Sequence, residues 1–334
     1  MFTFVVTCYN QAEVVRYALE SIKYQIENFG KGQSFQLIVT DDGSEDESRQ
    51  VIGRWISENQ KLFARTDKLF RKKNAGICRS YVKALRLVEG ERFLVLNGDD
   101  LLAPYSVFEV TDLLEEYDIV CTAFLKFKGD GEIICSYGTY LEVVLQQFIK
   151  GRLLNRAVRL GCPIMGTAVF RRELLTEEVF RFILRFKTVN DRACFQKIAG
   201  SRKNENIRVC YVNRPFILYR ISETSISNFE SPTRALHNKE IAELVRIEIR
   251  KERPGFFRMM LFLQERSAAV RSNPSYYVRL LRFFSPYYFI MLWLYLKNHK
   301  EIAGMERRLV DRYQEGCRMH YKRIMKNIDF YSNV

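Results

Sequence analysis

The sequence predicts an α/β fold in which a mostly parallel sheet is flanked by helices, followed by an all-helical C-terminal extension. In the first hundred residues, short apolar and β-branched runs alternate with segments of helical periodicity. This alternation is the pattern of βαβ units and a parallel sheet. From Ser231 onward there is no strand signal, and 20 Lys and Arg outnumber 10 Asp and Glu. That part therefore carries most of the formal net charge of +14.

The individual elements of the first half follow from the spacing of apolar residues. Short continuous apolar runs bounded by turn residues are typical of buried strands. Apolar residues at helical spacing follow each of the first two runs, and Gly76 is predicted to open a third helix. The predicted strands are residues 2–8, 35–40 and 94–96.

Each predicted strand ends in polar residues, at residues 7–10, at residues 41–44 and at the pair Asp99-Asp100. In a parallel sheet these ends lie on one edge, where α/β proteins bind ligands, so we expect the three segments to converge in one crevice. Two adjacent carboxylates there can hold a hard divalent cation. The alternative for the acidic pair is a solvated turn, since Asp and Gly are common turn residues.

These segments resemble the inverting family 2 glycosyltransferases, which have the nucleotide-sugar-binding GT-A fold. The motifs occur in the order of that family and cover about residues 1–228, the expected GT-A domain; residues 229–334 would form the helical, basic C-terminal region. The matching motifs are Val5-Val6-Thr7-Cys8-Tyr9-Asn10, Val39-Thr40-Asp41-Asp42-Gly43-Ser44, Asn74-Ala75-Gly76-Ile77, Asn97-Gly98-Asp99-Asp100, and Tyr219-Arg220 with Ser225-Ile226-Ser227.

The resemblance implies which residues contact the donor nucleotide. Asp42, or its neighbour Asp41, would accept a hydrogen bond from a base N–H, which both uracil and thymine offer, so the donor is expected to be UDP- or dTDP-linked. For Asp41 the alternative is an acidic residue that stabilises a helix N-terminus. The full set of expected donor residues is Thr7, Tyr9, Asn10, Asp41, Asp42, Asn74, Gly76 and Asp99.

The resemblance also implies a divalent cation, Mn²⁺ or Mg²⁺, held by Asp100 and Asp99. In the family pattern the second carboxylate contacts the ion, while the first reaches the ribose. The chain departs from the pattern at Asn97-Gly98, where the family often has a third acidic residue. Oxygen ligands suit either ion, and zinc is not expected because the eight cysteines form no Cys-x-x-Cys pair.

For catalysis the resemblance points to Asp191 as the general base, at the start of a predicted helix. The family often has Glu-Asp here, and this chain has Asn190-Asp191. The alternative is a helix N-cap, because Asp is a preferred capping residue. By the same resemblance Gly166 and Thr167 would line the acceptor cleft. A hairpin is predicted around Gly129-Asp130-Gly131.

In the C-terminal region, the apolar, aromatic-rich run at residues 287–296 has Arg282 and Lys297 on its flanks. It is shorter than the roughly 20 apolar residues that span a bilayer, but a basic-flanked helix of this kind can lie in the membrane interface. Packing on the core and self-association into a homo-oligomer are the alternatives. A helical apolar stripe is also predicted at Ile302, Met305, Leu309, Tyr313, Cys317, Tyr321, Ile324 and Ile328.

The function implied is transfer of a sugar from a nucleotide-diphosphate donor to a hydroxyl of a glycan or polyprenyl-linked acceptor, in bacterial surface polysaccharide synthesis. The N-terminus lacks a basic n-region and a cleavage site, and the cysteines are scattered. We therefore expect a cytoplasmic enzyme, peripheral on the inner face of the cell membrane.

Two other classes of protein are weighed against this function. A basic nucleic-acid-binding protein agrees with the sequence pI of about 9.4. However, the acidic loops would repel a phosphate backbone, so no nucleic-acid partner is expected. A sugar nucleotidyltransferase would have a Gly-rich phosphate loop after the first strand, and residues 7–11 contain no glycine.

Overall fold

The computed structural model describes residues 1–129, 131–134, 140–161, 168–201, 207–221, 233–270, 275 and 284–332. The strands within these ranges are β1 (Phe2–Cys8), β2 (Phe35–Asp41), β3 (Arg65–Phe70), β4 (Arg92–Asn97), β5 (Leu101–Leu102), β6 (Ile119–Phe127), β7 (Ala168–Arg171) and β8 (Val209–Arg220). The helices are α1 (Val15–Phe29), α2 (Ser48–Asn59), α3 (Ile77–Leu85), α4 (Leu141–Gln146), α5 (Gly151–Arg159), α6 (Glu177–Ile183), α7 (Asn190–Ser201), α8 (Arg234–Lys251), α9 (Phe256–Ala269), α10 (Pro286–Ile302) and α11 (Met305–Ser332).

One sheet contains all of these strands, in the order β3-β2-β1-β4-β7-β6-β8-β5. The first four strands pair in parallel, which confirms the predicted α/β fold. Beyond β4 the sheet is mixed, because β7 is antiparallel to both neighbours and β5 is antiparallel to β8. β3 was not predicted from the sequence. It is an edge strand with every residue at least partly exposed, so it lacks the apolar run that marks a buried strand.

Helices α1, α2 and α3 confirm the three helices predicted in the first half. α1 and α2 bury their apolar faces, and Trp55 of α2 is fully buried. Its indole N–H donates to the carboxylate of Glu20 on α1 at 2.8 Å, so this buried donor is satisfied. Gly76 directly precedes α3, as predicted.

The predicted hairpin is confirmed for the part that the structure describes. Phe127 pairs antiparallel with Ile133, and the Lys128 N–H donates to the Glu132 carbonyl at 3.0 Å. Asp130 and residues 135–139 lie outside the described ranges.

The C-terminal helices share the core of the sheet rather than forming a separate one. Buried side chains of α8, α10 and α11, such as Leu244, Met291 and Leu309, belong to the same apolar cluster as β1. A second, smaller cluster joins α8 and α9 to Leu160. The predicted stripe is confirmed on α11 for Leu309, Tyr313, Cys317, Tyr321 and Ile324, which are buried. Met305 and Ile328 are partly buried, and Ile302 instead ends the preceding helix α10.

Within the described ranges, none of the helices combines the length and the hydrophobicity that crossing a membrane requires. Helices α9 and α10 contact one another and expose large apolar side chains to solvent. We call this set the α9–α10 apolar surface: Phe256, Met259, Phe262 and Leu263 on α9, and Tyr288, Phe289, Leu292, Trp293, Tyr295 and Leu296 on α10.

Candidate donor and metal site

The carboxyl ends of β1, β2 and β4 meet at one edge of the sheet. Parallel pairing places Thr7 opposite Thr40 on one side and opposite Asn97 on the other. The Thr7 hydroxyl donates to the side-chain oxygen of Asn97 at 3.2 Å, which joins the end of β1 to the end of β4, just before the acidic pair. The predicted convergence of the three polar segments is therefore confirmed.

The loop after β1 is hydrogen-bonded to the loop after β2. Asn10 adopts a positive φ of 50°, a conformation that Asn tolerates better than most residues. Its N–H donates to Ser44 Oγ at 2.8 Å, and its Oδ1 accepts from the Glu45 N–H at 2.9 Å. The Gln11 N–H donates to Ser48 Oγ at 2.8 Å. Tyr9 is 43% exposed, so its ring is available to a ligand at the loop surface.

Asp41 is fully buried, and its carboxylate serves the loop itself. Oδ1 accepts from the N–H groups of Gly43 and Ser44 at 3.1 and 3.0 Å, and Oδ2 accepts from the Ser44 hydroxyl. Arg49 Nε lies 3.3 Å from Oδ1. The nearest following helix starts only at Ser48, so the alternative role of Asp41 at a helix N-terminus is not supported.

Asp42 connects the same loop to the start of α3. Its Oδ1 accepts from Ser80 Oγ at 2.6 Å and from the Ala75 N–H at 3.3 Å. Arg71 Nε lies 3.6 Å away from the same oxygen. Among the described residues, none hydrogen-bonds to Asp42 Oδ2, which distinguishes this carboxylate from that of Asp41.

An open cleft of about 870 Å³ lies beside this loop, between residues 43–46 and residues 72–74. Asn74 is exposed there, and its Oδ1 accepts from the Gly76 N–H at 3.1 Å. Gly76 has a φ of 91°, and a Cβ at this position would lie 3.1 Å from the Lys187 carbonyl oxygen. The residues before α3 are therefore in close contact with the segment that precedes α7.

Asp99 and Asp100 form the acidic centre of the site. Asp100 is buried, and burial followed by the neighbouring charge of Asp99 raises the pKa of its carboxyl well above the usual range. Burial also raises the pKa of Asp99, although the charge of Arg220 opposes the shift. Two carboxylates in such surroundings favour either protonation or a bound cation.

Arg220 at the end of β8 is hydrogen-bonded to both residues of the acidic pair. Its backbone N–H donates to Asp100 Oδ1 at 3.0 Å, and its Nε donates to the Asp99 carbonyl at 2.8 Å. The guanidinium lies 4.6 Å from the ring centroid of Phe127 and 5.3 Å from that of Tyr17. Within the described part of the chain, its buried Nη2 has no hydrogen-bond partner.

Tyr321 of the last helix supports the two rings that flank Arg220. It stacks on Tyr17 with a centroid separation of 5.8 Å and contacts Phe127 at 5.4 Å. Its hydroxyl donates to the Gly129 carbonyl at 2.5 Å. The C-terminal helices thus contribute to the surroundings of the acidic pair.

The acidic pair fits a divalent cation whose coordination is completed by other molecules. In the ranges that the structure describes, no third His, Cys, Asp or Glu joins Asp99 and Asp100 in a metal-binding group. Mg²⁺ sites commonly use one or two carboxylates together with water and substrate phosphates, rather than a cage of protein ligands. Asp100 and Asp99 are therefore the residues that would hold Mn²⁺ or Mg²⁺.

Asp191 lies in the first turn of α7 and is exposed. Its Oδ1 accepts from the N–H of the next residue, Arg192, at 2.7 Å. An N-cap side chain instead accepts from the N–H two or three residues later, so the capping alternative does not match this geometry. The segment that leads into α7 contacts the start of α3, since the Lys187 carbonyl accepts from the Cys78 N–H at 3.3 Å.

Two serines that connect the loops were not predicted from the sequence, in contrast to Ser44, which lies in the predicted segment 41–44. Ser48 accepts from the Gln11 N–H, and Ser80 donates to Asp42. The short sequence distance from the acidic motif was a signal for Ser48, but no local pattern pointed to Ser80. Gly166 and Thr167, expected in the acceptor cleft, lie outside the described residues.

Comparison with known proteins agrees with this geometry. The family model described as Glycosyl transferase family 2 matches residues 3–178. An uncharacterized glycosyltransferase of Mycoplasma pneumoniae is 32% identical over 200 residues, which cover 56% of this chain and 64% of that protein. The teichoic acid poly(glycerol phosphate) polymerase of Staphylococcus epidermidis is 34% identical over 116 residues, covering 35% of this chain and 15% of that protein. The matches span less than two thirds of the length of either relative.

Two solved structures share the fold. S. aureus TarS 1-349 in complex with UDP-GlcNAc superposes with a TM-score of 0.51 at 13% identity, covering 96% of this chain and 91% of that chain. The mannosyltransferase PcManGT from Pyrobaculum calidifontis, in complex with GDP-Man and Mn²⁺, superposes with a TM-score of 0.51 at 16% identity, covering 96% and 86%. Together with the family match over more than half of its length, the motifs and the fold show that the chain belongs to glycosyl transferase family 2.

Proposed function

We propose that this protein is an inverting glycosyltransferase that moves a sugar from a nucleotide-diphosphate donor to a hydroxyl of a glycan or lipid-linked acceptor. The main support for the proposal is that the loops after β1 and β2 lie beside the acidic pair at one edge of the sheet, with Asp100 buried. Family membership supports the same activity.

In this proposal each part of the site has a separate task. A divalent cation held by Asp100 and Asp99 would neutralise the charge on the diphosphate leaving group. Arg220 binds the Asp100 carboxylate and the Asp99 backbone carbonyl, and it adds a nearby positive charge. Asp191 accepts the proton of the acceptor hydroxyl as general base, and a single displacement inverts the anomeric configuration.

For the donor base, Asp42 is a better candidate than Asp41. All the oxygens of Asp41 are used inside its own loop, whereas Asp42 Oδ2 has no hydrogen bond with a described residue. A carboxylate oxygen can accept the N–H that uracil and thymine share, so UDP- and dTDP-linked sugars are the expected donors. The UDP-GlcNAc complex of TarS and the GDP-Man and Mn²⁺ complex of PcManGT are in keeping with a nucleotide sugar and a metal.

The proposed acceptor belongs to bacterial surface polysaccharide synthesis, either a glycan or a polyprenyl-linked intermediate. The similarity to a teichoic acid polymerase supports this setting. The proposed division is a GT-A domain in residues 1–228 and a helical C-terminal region in residues 229–334.

A screen of nucleotide sugars tests the activity directly. The purified protein is incubated with Mn²⁺ and UDP-, dTDP- and GDP-linked sugars, and released nucleoside diphosphate is measured with and without excess chelator. We expect release from a uridine or thymidine donor that chelator abolishes and that Asp100→Ala lacks. Release of pyrophosphate would instead indicate a sugar nucleotidyltransferase. Full turnover in excess chelator would refute the metal-dependent mechanism.

We also propose that the C-terminal region holds the enzyme on the inner face of the cell membrane through the α9–α10 apolar surface. Trp293 and Phe289 are each 51% exposed, and the Lys297 ammonium lies 5.0 Å from the Trp293 ring. Exposed aromatic side chains beside basic residues are typical of interfacial helices. Each Lys or Arg near an anionic surface contributes about 1 kcal/mol.

Sedimentation with vesicles tests the membrane proposal. We expect binding to vesicles containing phosphatidylglycerol, with weakening at higher salt, and loss of binding for Trp293→Glu. The matched control is Met319→Glu, because Met319 is 59% exposed on a different helix, α11. If the protein ignored these vesicles and formed a dimer that Trp293→Glu dissociated, the surface would be an oligomer interface instead.

A further inference from the structure

The position of Asp191 depends on the backbone that carries it. Its carboxylate has one hydrogen bond, to the adjacent Arg192 N–H, and it is exposed. No other described residue is hydrogen-bonded to it. The carboxylate is therefore positioned by the backbone of α7 and of residues 187–190, which lead into this helix.

One side chain from the C-terminal region binds that segment at three points. Glu240 of α8 accepts from the Lys187 N–H through Oε1 and from the Thr188 N–H through Oε2, both at 2.8 Å. Glu240 Oε2 also accepts from the Thr188 hydroxyl at 2.6 Å. Hydrogen bonds to an ionised carboxylate are roughly twice as strong as those between neutral groups.

The same segment contacts the donor loops on its other side. The Lys187 carbonyl accepts from the Cys78 N–H at 3.3 Å, in the first turn of α3. At Gly76 a Cβ would lie 3.1 Å from the Lys187 carbonyl oxygen and 3.2 Å from Lys187 Cβ, so the two segments are in close contact. The preceding Ala75 is hydrogen-bonded to Asp42. The segment is thus held between α8 and the donor side of the site.

His237 lies one turn before Glu240 on the same helix, and its buried Nδ1 has no hydrogen-bond partner among the described residues. Burial, followed by the charge of Arg192, lowers the pKa of His237 to about 4. His237 is therefore neutral at neutral pH, and among the described residues of α8 it is Glu240 that hydrogen-bonds to the two amides.

We propose that Glu240 is a positioning residue for sugar transfer: by fixing residues 187–188 against the start of α3, it sets where Asp191 meets the acceptor hydroxyl. This inference rests on the proposed function, in which Asp191 is the base. It assigns part of the catalytic arrangement to α8, beyond the range of the family match at residues 3–178.

The kinetic test uses Glu240→Ala and Glu240→Gln. Glu240→Ala removes all three hydrogen bonds, while Glu240→Gln keeps one acceptor oxygen, so we expect the larger loss for alanine. A displacement of about 1 Å can cost roughly 100-fold in rate, and we expect kcat to fall by about 10-fold to 100-fold while the donor KM changes less than about twofold. The matched control is Glu243→Gln, because Glu243 lies on the same helix and its partners among the described residues are the surface side chains of Arg246 and Arg250.

A double-mutant cycle with Asp191→Asn separates positioning from general destabilisation. If Glu240 acts through Asp191, adding Glu240→Ala to Asp191→Asn should cost little further rate. Full additivity of the two losses, or an unchanged kcat for Glu240→Ala, would overturn the inference. A fully active Asp191→Asn variant would instead show that the proposed base is wrong, so the two failures are distinguishable.

Amide hydrogen exchange gives a readout that needs no turnover. In Glu240→Ala, the peptide spanning residues 185–192 should exchange at least about 10-fold faster than in the wild type, with Glu243→Gln unchanged. Unchanged exchange of this peptide in Glu240→Ala would refute the positioning role whatever the activity.

Discussion

Replacing Gly43 by alanine tests whether the donor loop is held as the structure shows. Gly43 has a φ of +85°, in the left-handed region that favours glycine. A Cβ at this position would lie 2.5 Å from the Asn74 backbone nitrogen and 2.9 Å from the Lys73 Cα. Since these are backbone atoms, they cannot move aside as the end of a side chain can, and the two loops must separate.

The magnitude of the effect follows from two costs and one gain. The left-handed conformation costs about 1–2 kcal/mol for a residue with a Cβ. Overpacking typically costs about 1–3 kcal/mol. Alanine also reduces the conformational freedom of the unfolded chain, which stabilises the folded state by about 0.4–1 kcal/mol. We therefore expect Gly43→Ala to lower the free energy of unfolding by about 1–4.5 kcal/mol.

Urea unfolding measures this change, and Gly53→Ala is the matched control. Gly53 lies inside α2, and a Cβ added there would have no neighbouring atom within 4 Å, so alanine should raise the free energy of unfolding by about 0.5–1 kcal/mol. Gly43→Ala should also weaken binding of UDP with Mn²⁺, because Asn74 moves away from Ser44. Wild-type stability of Gly43→Ala, within about 0.5 kcal/mol, would show that the two loops are not packed as described.

Three further changes probe the acidic centre and the base. The pKa of Asp100 is higher in the folded than in the unfolded state, so in chelator the free energy of unfolding of the wild type should decrease as pH rises through these two values. In Asp100→Asn this decrease, measured by urea titration, should be smaller, and turnover should be abolished. Asp191→Asn should lower kcat by roughly 10²–10⁴-fold, with calorimetric binding of the donor nucleotide unchanged. Tyr321→Ala should lower the free energy of unfolding by about 3–5 kcal/mol and weaken Mn²⁺ binding. Tyr321→Phe loses only the hydrogen bond to the Gly129 carbonyl, so it should cost about 0.5–1.5 kcal/mol and leave Mn²⁺ binding close to wild type.

Opposite outcomes would contradict each of these predictions. An equal fall of stability with pH in wild type and Asp100→Asn would mean that Asp100 is not the buried carboxylate responsible. More than half of the activity in Asp191→Asn would assign the base to another residue. Normal Mn²⁺ binding in Tyr321→Ala would mean that the stacked rings do not support Arg220.

The order of strands and helices in the first half was predictable because each depends on local spacing. A buried parallel strand needs a continuous apolar run, and an amphipathic helix needs its own period, so both patterns are visible in the sequence. β3 has neither pattern, because at the sheet edge its side chains remain partly exposed. The mixed pairing beyond β4 was equally hidden, since strand direction depends on how the intervening chain is routed.

By itself the sequence determined the α/β class, the three polar strand ends and the adjacent carboxylates of Asp99 and Asp100, because these follow from residue type and local periodicity. Only the tertiary structure decided that the Asp41 carboxylate is hydrogen-bonded within its own loop, while Asp42 Oδ2 has no hydrogen bond with a described residue. It also decided that Glu240 binds the segment before α7 and that Tyr321 packs on the rings beside Arg220, both from the C-terminal helices. Such contacts join residues far apart in the chain, and no local pattern specifies which distant side chain fills a given space.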